Sequence, residues 1–216
     1  MDDLTLPELR VALAPAIADA AAFDGWSSAA VTAAARGHGV EPDVAAYAFK
    51  GGAMDMIAAW VEHVDAAMAA ALPAESLAAL PVRERIRRLV QFRLDAVAGR
   101  EEALRRALAI MAMPPNAGRS LRMGWHSADV MWRLAGDTAT DYNHYTKRTI
   151  LAGIYAATLG VLVDDTSEGK ADTRAFLGRR IDGVMRFEKA KAQLLRAPEN
   201  RFSVARFLGR LRYPAT

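Results

Sequence analysis

Residues 24–52 read DGWSSAAVTAAARGHGVEPDVAAYAFKGG, and the fold turns on this stretch. Ser28 to Arg36 and Glu41 to Phe49 each suit one short helix, and the four residues between them carry two glycines. Glycine takes up the positive φ at which a helix can end, so the stretch predicts two helices joined by a tight turn. That is the outline of a helix-turn-helix unit. The punctuation extends over the first 70 residues, where short helices are separated by Asp24-Gly25-Trp26, Arg36-Gly37-His38-Gly39 and Lys50-Gly51-Gly52.

Beyond residue 70 the same helical signal continues and no strand emerges. Val82, Ile86, Leu89, Val90 and Val97 follow a helical stripe, with Arg83, Arg87 and Arg88 on the wet side. Leu104, Leu108 and Met111 follow another, stopped by Pro114-Pro115. A helix is predicted from about Ala117 to Ala135, ended by Gly136. The next begins near Asp141 and carries Ile150, Leu151, Ile154, Tyr155 and Leu162. Asp172 then reads as the N-cap of a helix through Phe176, Leu177, Ile181 and Val184. The chain is therefore all-α. Its 216 residues suit one large domain, with or without a small appended module, and 52% hydrophobic residues can bury a sizeable core.

Charge separates the function classes. The net +3 hides residues 1–80 at −8, with 3 basic and 11 acidic groups, residues 81–185 at +5, and residues 186–216 at +6. A DNA reader needs Lys and Arg for phosphates, yet the second helix of the pair offers Glu41 and Asp43 and no Arg. Only Arg10, Arg36 and Lys50 could oppose the acidic front, so the unit reads as a structural element that packs or dimerises. The rival is a ligand-sensing transcriptional regulator built on the same unit.

Catalytic and metal chemistry find no foothold. The chain has no cysteine, which excludes disulfides, thiolate metal sites and a cysteine nucleophile. None of His38, His63, His126 and His144 stands in a Glu-x-x-His or H-E-x-x-H spacing. Asp137, Asp141, Tyr142, Tyr145, Lys147 and Arg148 could suggest an acid/base cluster. They read better as helix punctuation: Thr140 or Asp141 caps a helix, Asp137 closes the preceding turn, and the two bases lie on a wet face. The expectation is a protein that is not an enzyme and needs no cofactor.

Three other segments suggest binding. The apolar run from Thr149 to Val163 is shorter than the roughly 20 residues of a membrane span. Its Gly153, Gly160, Ala152, Ala156 and Ala157 leave room beside it, and Met111, Met113, Met123 and Met131 nearby adapt to irregular apolar shapes. Trp132 among Asp129, Arg133 and Arg122 fits an apolar contact ringed by polar groups, or a core Trp. Residues 201–213, RFSVARFLGRLRY, place Val204, Phe207, Leu208 and Leu211 on one helical face flanked by Arg206, Arg210, Arg201 and Arg212. Such a face suits anionic headgroups, or docking on the protein itself, and Pro198 and Asn200 mark a hinge before it.

The outline of the first 70 residues resembles the N-terminal domain of TetR-type regulators. A longer resemblance lies in residues 129–155, DVMWRLAGDTATDYNHYTKRTILAGIY. Asp129-x-x-Trp132, Ala135-Gly136-Asp137, Thr140-Asp141-Tyr142-Asn143, Tyr145-Thr146-Lys147-Arg148 and Leu151-Ala152-Gly153-Ile154-Tyr155 are similar to the signature of the ubiquinone-biosynthesis accessory family. These are the TetR-fold, lipid-binding Coq proteins that assist the demethoxyubiquinone hydroxylase. The likeness covers about residues 80–185, continuing in Arg83-x-Arg85-Ile86-Arg87 and Arg179-Arg180-Ile181, and departs from the family at Val130, His144 and Arg174.

The resemblance implies a homodimeric TetR-like helical bundle that binds an isoprenoid lipid or ubiquinone precursor and contacts the hydroxylase. It implies a helix-turn-helix-like region over 1–70, a lipid-binding and dimerisation core over 71–195, and a C-terminal amphipathic membrane-binding helix over 196–216. Leu94, Leu108, Met111, Trp125, Leu151, Ile154, Tyr155 and Leu159 are expected to hold the lipid. Asp129, Trp132 and Arg133 are expected to meet the partner. Val204, Arg206, Phe207, Leu208, Arg210 and Leu211 are expected to meet the membrane, on the inner face of a bacterial cytoplasmic membrane.

Overall fold

A computed structural model describes residues 4–138 and 142–195, and the chain divides into two units, Met1–Gly178 and Arg179–Thr216. The described residues form helices and no strand. The amphipathic helix expected at 196–216, with its six membrane-facing positions, lies outside them, as do the expected caps Thr140 and Asp141.

In the first unit, α1 (Leu6–Asp24) starts where Glu8 accepts the Thr5 backbone N–H at 2.8 Å. Its buried face, including Leu9, Leu13 and Ile17, packs on α2 (Ser28–Gly37) and α4 (Ala53–Ala71). α1 and α4 have 19 residues each, so the Gly-punctuated front is two long helices bracketing a short pair. The pair is α2 and α3 (Pro42–Ala48). Gly39 takes φ +67° in the turn, and the Val40 N–H returns to the Ala35 carbonyl at 2.9 Å.

After the single turn α5 (Ala74–Leu77) comes α6 (Val82–Val97), which buries Ile86, Leu89, Val90, Leu94 and Val97. Val82 leaves the expected stripe: it occupies the first helical position and is 49% exposed. α7 (Glu101–Met111) accepts the Trp26 indole N–H on the Ala103 carbonyl at 3.0 Å, which ties the helix-turn-helix unit to the rest. A 3₁₀ turn at Pro114–Asn116 leads into α8 (Ala117–Leu134). α8 closes with Gly136 at φ +85°: the Gly136 N–H reaches the Arg133 carbonyl and the Asp137 N–H the Trp132 carbonyl, both at 2.9 Å. This Schellman arrangement satisfies the last carbonyls.

α9 (Tyr142–Leu162) packs on α8 and α6. α10 (Ala171–Leu195) begins in the first unit and continues into the second. Asp172 is not its cap. The buried Asp165 carboxylate accepts the Thr173 N–H at 2.8 Å and the Ser167 N–H at 2.9 Å, and Ser167 Oγ accepts the Asp172 N–H at 3.1 Å. A 3₁₀ turn at Glu168–Lys170 carries the chain between them, so the capping side chain stands eight residues before Thr173. No described helix is long and apolar enough to cross a membrane.

Candidate functional site

Helices α4, α6, α7, α8 and α9 enclose a cavity of about 540 Å³. Ile57, Trp60, Val61 and Val64 form the α4 wall, and Leu104, Ala107, Leu108 and Met111 the α7 wall. From α8 come Leu121, Met123, Gly124 and Trp125; from α9 come Thr149, Ala152, Gly153, Tyr155, Ala156 and Leu159. The volume lies in the range of small-molecule sites, and its apolar lining suits a hydrocarbon chain. Leu121 is 74% exposed, and Thr149, Gly153 and Ala156 are exposed too, so the cavity reaches the surface between α8 and α9.

Small residues create the space. Gly124 and Gly153 both line the cavity, and a Cβ built on either meets no atom within 4 Å. Of the eight positions expected to hold a lipid, Leu108, Met111, Trp125, Tyr155 and Leu159 line the cavity. Leu94 and Leu151 are instead 2% exposed core residues, and Ile154 is half-buried away from the lining. They follow the same helical period as the lining residues, but Leu94 and Leu151 are packed into the core. Of Met111, Met113, Met123 and Met131, Met111 and Met123 line the space, Met131 is fully buried elsewhere, and Met113 is exposed.

At the inner wall stands a polar pair to which the sequence assigned no role, although Arg93-Leu94 belongs to the stretch that resembles the family. Arg93 lines the cavity while only 2% exposed. Its Nη1 donates to Asp65, whose other oxygen accepts the Ser127 hydroxyl at 2.8 Å, and its guanidinium faces the Tyr155 ring at 4.8 Å. Burial pushes the Asp65 carboxyl up, against the pull of Arg93 and the Ser127 hydroxyl. The signal was available: Arg93 interrupts the apolar face of α6 between Val90 and Leu94, and Asp65 follows Val64 on the buried face of α4.

A second polar cluster joins α8 to α9. Arg148 is 1% exposed, not on a wet face as expected. Its Nε donates to Asp129 at 2.6 Å, and its Nη1 to Asp137 and the His144 carbonyl, each at 3.0 Å. Two carboxylates thus compensate one buried cation. Burial opposes charge on both acids, but hydrogen bonds from Arg148, with Arg133 beside Asp129 and Lys147 on Asp137, hold them below the usual carboxylate range. Trp132 lies against this cluster. It is half-buried, its indole N–H donates to the Lys147 carbonyl at 3.1 Å, and Lys147 Nζ sits 5.3 Å over its ring. Asp129 and Trp132 thus have internal partners, while the Arg133 side chain is 73% exposed.

Among the described residues, no three side chains of His, Asp and Glu gather as a metal would require. On α3, Asp43, Val44, Ala46 and Tyr47 are exposed, and Lys50 covers the Tyr47 ring at 4.9 Å.

Residues 117–188, which build α8, α9 and most of α10, match the COQ9 family model. The chain is also 34% identical to the ubiquinone biosynthesis protein COQ9 of Rattus norvegicus over 168 residues, covering 74% of this chain and 54% of the rat protein. The chain is a relative of the COQ9 family. The Homo sapiens COQ9 protein is 32% identical, over 74% of this chain and 52% of its own length. The chain thus spans about half the length of the curated relatives it matches. A crystal structure of a TetR transcriptional regulator from Nitrosomonas europaea superposes with TM-score 0.64 at 21% identity, covering 81% of this chain and 96% of that one. That likeness shows a TetR-type fold. The COQ9-matching segment supplies two walls of the cavity and the whole Arg148 cluster.

Proposed function

We propose that this COQ9 relative is a non-catalytic accessory protein of ubiquinone biosynthesis that holds an isoprenoid quinone precursor and presents it to a ring hydroxylase at the membrane. The observation that carries this reading is the 540 Å³ apolar cavity, open between α8 and α9, in a chain related to ubiquinone biosynthesis proteins. The α8–α9 end that includes Trp132 and the exposed Arg133 would meet the hydroxylase. The Arg-flanked apolar pattern at 201–213 would meet anionic lipid, and the protein would act as a homodimer. The second reading, a ligand-sensing transcriptional regulator, draws on the TetR-type fold and uses the same cavity for sensing.

The test is solvent extraction of the purified protein followed by lipid mass spectrometry. Wild-type protein is expected to yield isoprenoid quinones or their precursors. A Gly124→Leu, Gly153→Leu variant, which places side chains in the open space of the cavity, is expected to fold and carry little lipid. An empty wild-type extract, or an unchanged load in the folded variant, would overturn the reading.

A further inference from the structure

The polar side chains along the cavity are spent inside the protein. Ser120 Oγ donates to the Met111 carbonyl at 2.9 Å, Ser127 Oγ to Asp65 at 2.8 Å and Thr149 Oγ1 to the Tyr145 carbonyl at 3.0 Å, while Arg93 is buried and committed to Asp65. An oxygen-bearing ring pushed to the inner wall would lose its water and gain little in return. The mouth is different. Trp125 of α8 lines the cavity, and its ring centroid lies 5.8 Å from that of Tyr145 of α9, with the planes tilted by 33°. Tyr145 is 61% exposed and stands one turn before Thr149, itself exposed and on the lining. His144 braces the Tyr145 ring edge-on at 5.1 Å. Leu121, one turn before Trp125 and 74% exposed, extends the apolar rim.

We infer that Trp125 and Tyr145 form the ring subsite of the cavity: a flat unsaturated ring stacks on this pair at the mouth, with its hydrocarbon tail inward past Gly124 and Gly153. This inference rests on the proposed lipid-holding function and deepens it by fixing which end of the lipid faces out. Three features carry it. The pair stands at the spacing of offset ring stacking and is open to solvent on the Tyr145 side, so a third ring can join it without displacing either. The wall beyond is apolar and suits the tail. The ring oxygens remain in water at the mouth, so no buried partner is needed for them. A saturated ring of the same size would fill the same place without a π face to stack. Trp125 and Tyr145 are thus specificity-determining residues, and a ring held there is already displayed to an enzyme.

The test uses full-length, delipidated protein and two probes. One is a decyl-substituted para-benzoquinone; the other is the matching decyl-substituted cyclohexanedione, which keeps both oxygens and the tail on a puckered ring. Affinities are read by calorimetry. Tyr145→Ala is expected to weaken quinone binding about threefold to tenfold, the worth of a stacked ring, and to leave the dione unchanged. Tyr145→Phe, which keeps the ring, is expected to match wild type. Quenching of tryptophan fluorescence by the quinone locates the ring independently of these variants. Most of the quenching is expected to vanish in Trp125→Phe and to persist in Trp60→Phe, since Trp60 belongs to the inner α4 wall. Equal losses for both probes in Tyr145→Ala, no loss for either, or quenching that depends on Trp60 would overturn the ring subsite and leave the cavity reading standing. Binding of neither probe to wild type would overturn both.

Discussion

At the scale of single residues, charge on an apolar face carries the most information. Arg93 and Arg148 are both nearly inaccessible, and each is matched by carboxylates from another segment. Isolated buried guanidinium groups would be prohibitively costly, so the matching acids must be brought to them by packing. Trp132 belongs to the same set. A freely exposed tryptophan could be truncated without loss, but this one donates to the Lys147 carbonyl and lies under its ammonium group. Trp132→Ala is therefore expected to lower unfolding free energy by about 2 kcal/mol, between a surface change and a core truncation. Chemical denaturation checks this. A loss within about 0.5 kcal/mol would mean that the side chain is held only for a partner.

At the scale of elements, the pairing of α8 with α9 depends on ionised acids. Asp129 and Asp137 are held below the ordinary carboxylate range, so the folded state binds fewer protons than the unfolded chain. Their contribution is complete above the unfolded carboxylate pKa, about 4, and is lost as pH falls through the lowered folded values. Asp55, which takes Arg119 and Arg10, and Glu101, which takes Lys170, act in the same direction. Asp65, pushed upward by burial, acts in the opposite one. Melting temperature is thus expected to stay nearly level from neutral pH to about 5 and to fall below about 4. A Tm that rose on acidification would contradict the role given to these pairs. The start of α10 is a related lesson: Asp165 and Ser167 cap it from before a 3₁₀ turn, where local sequence rules look one residue upstream.

At the scale of the whole molecule, a regulator's fold carries an unsuitable charge pattern for DNA. The first 80 residues carry a net charge of −8. Of the three bases there, Arg10 is spent on Asp55 and Phe49, while Lys50 lies against Tyr47. Duplex affinity rests on phosphate neutralisation, so an electrophoretic shift at low salt is expected to show no complex at micromolar protein. A tight, salt-sensitive shift would favour the regulator reading.

The sequence by itself determined the α2–α3 pair and the helices from α6 to α9, because the apolar period, the prolines and Gly39 and Gly136 act within a few residues of one another; it left open the length of α1 and α4 and the capping of α10. It also determined the charge pattern and the small residues of α9. Only the tertiary structure decided which faces of the helices look onto a shared space. That choice separated Leu108, Met111, Trp125, Tyr155 and Leu159 from Leu94, Leu151 and Ile154, which share the same periodicity. It also decided the partners of Arg93 and Arg148, since Asp65 lies 28 residues from Arg93, and Asp129 lies 19 from Arg148 across a turn. Periodicity reports that a residue is turned inward; whether it meets a neighbour, a carboxylate or an empty volume depends on the packing of several helices at once.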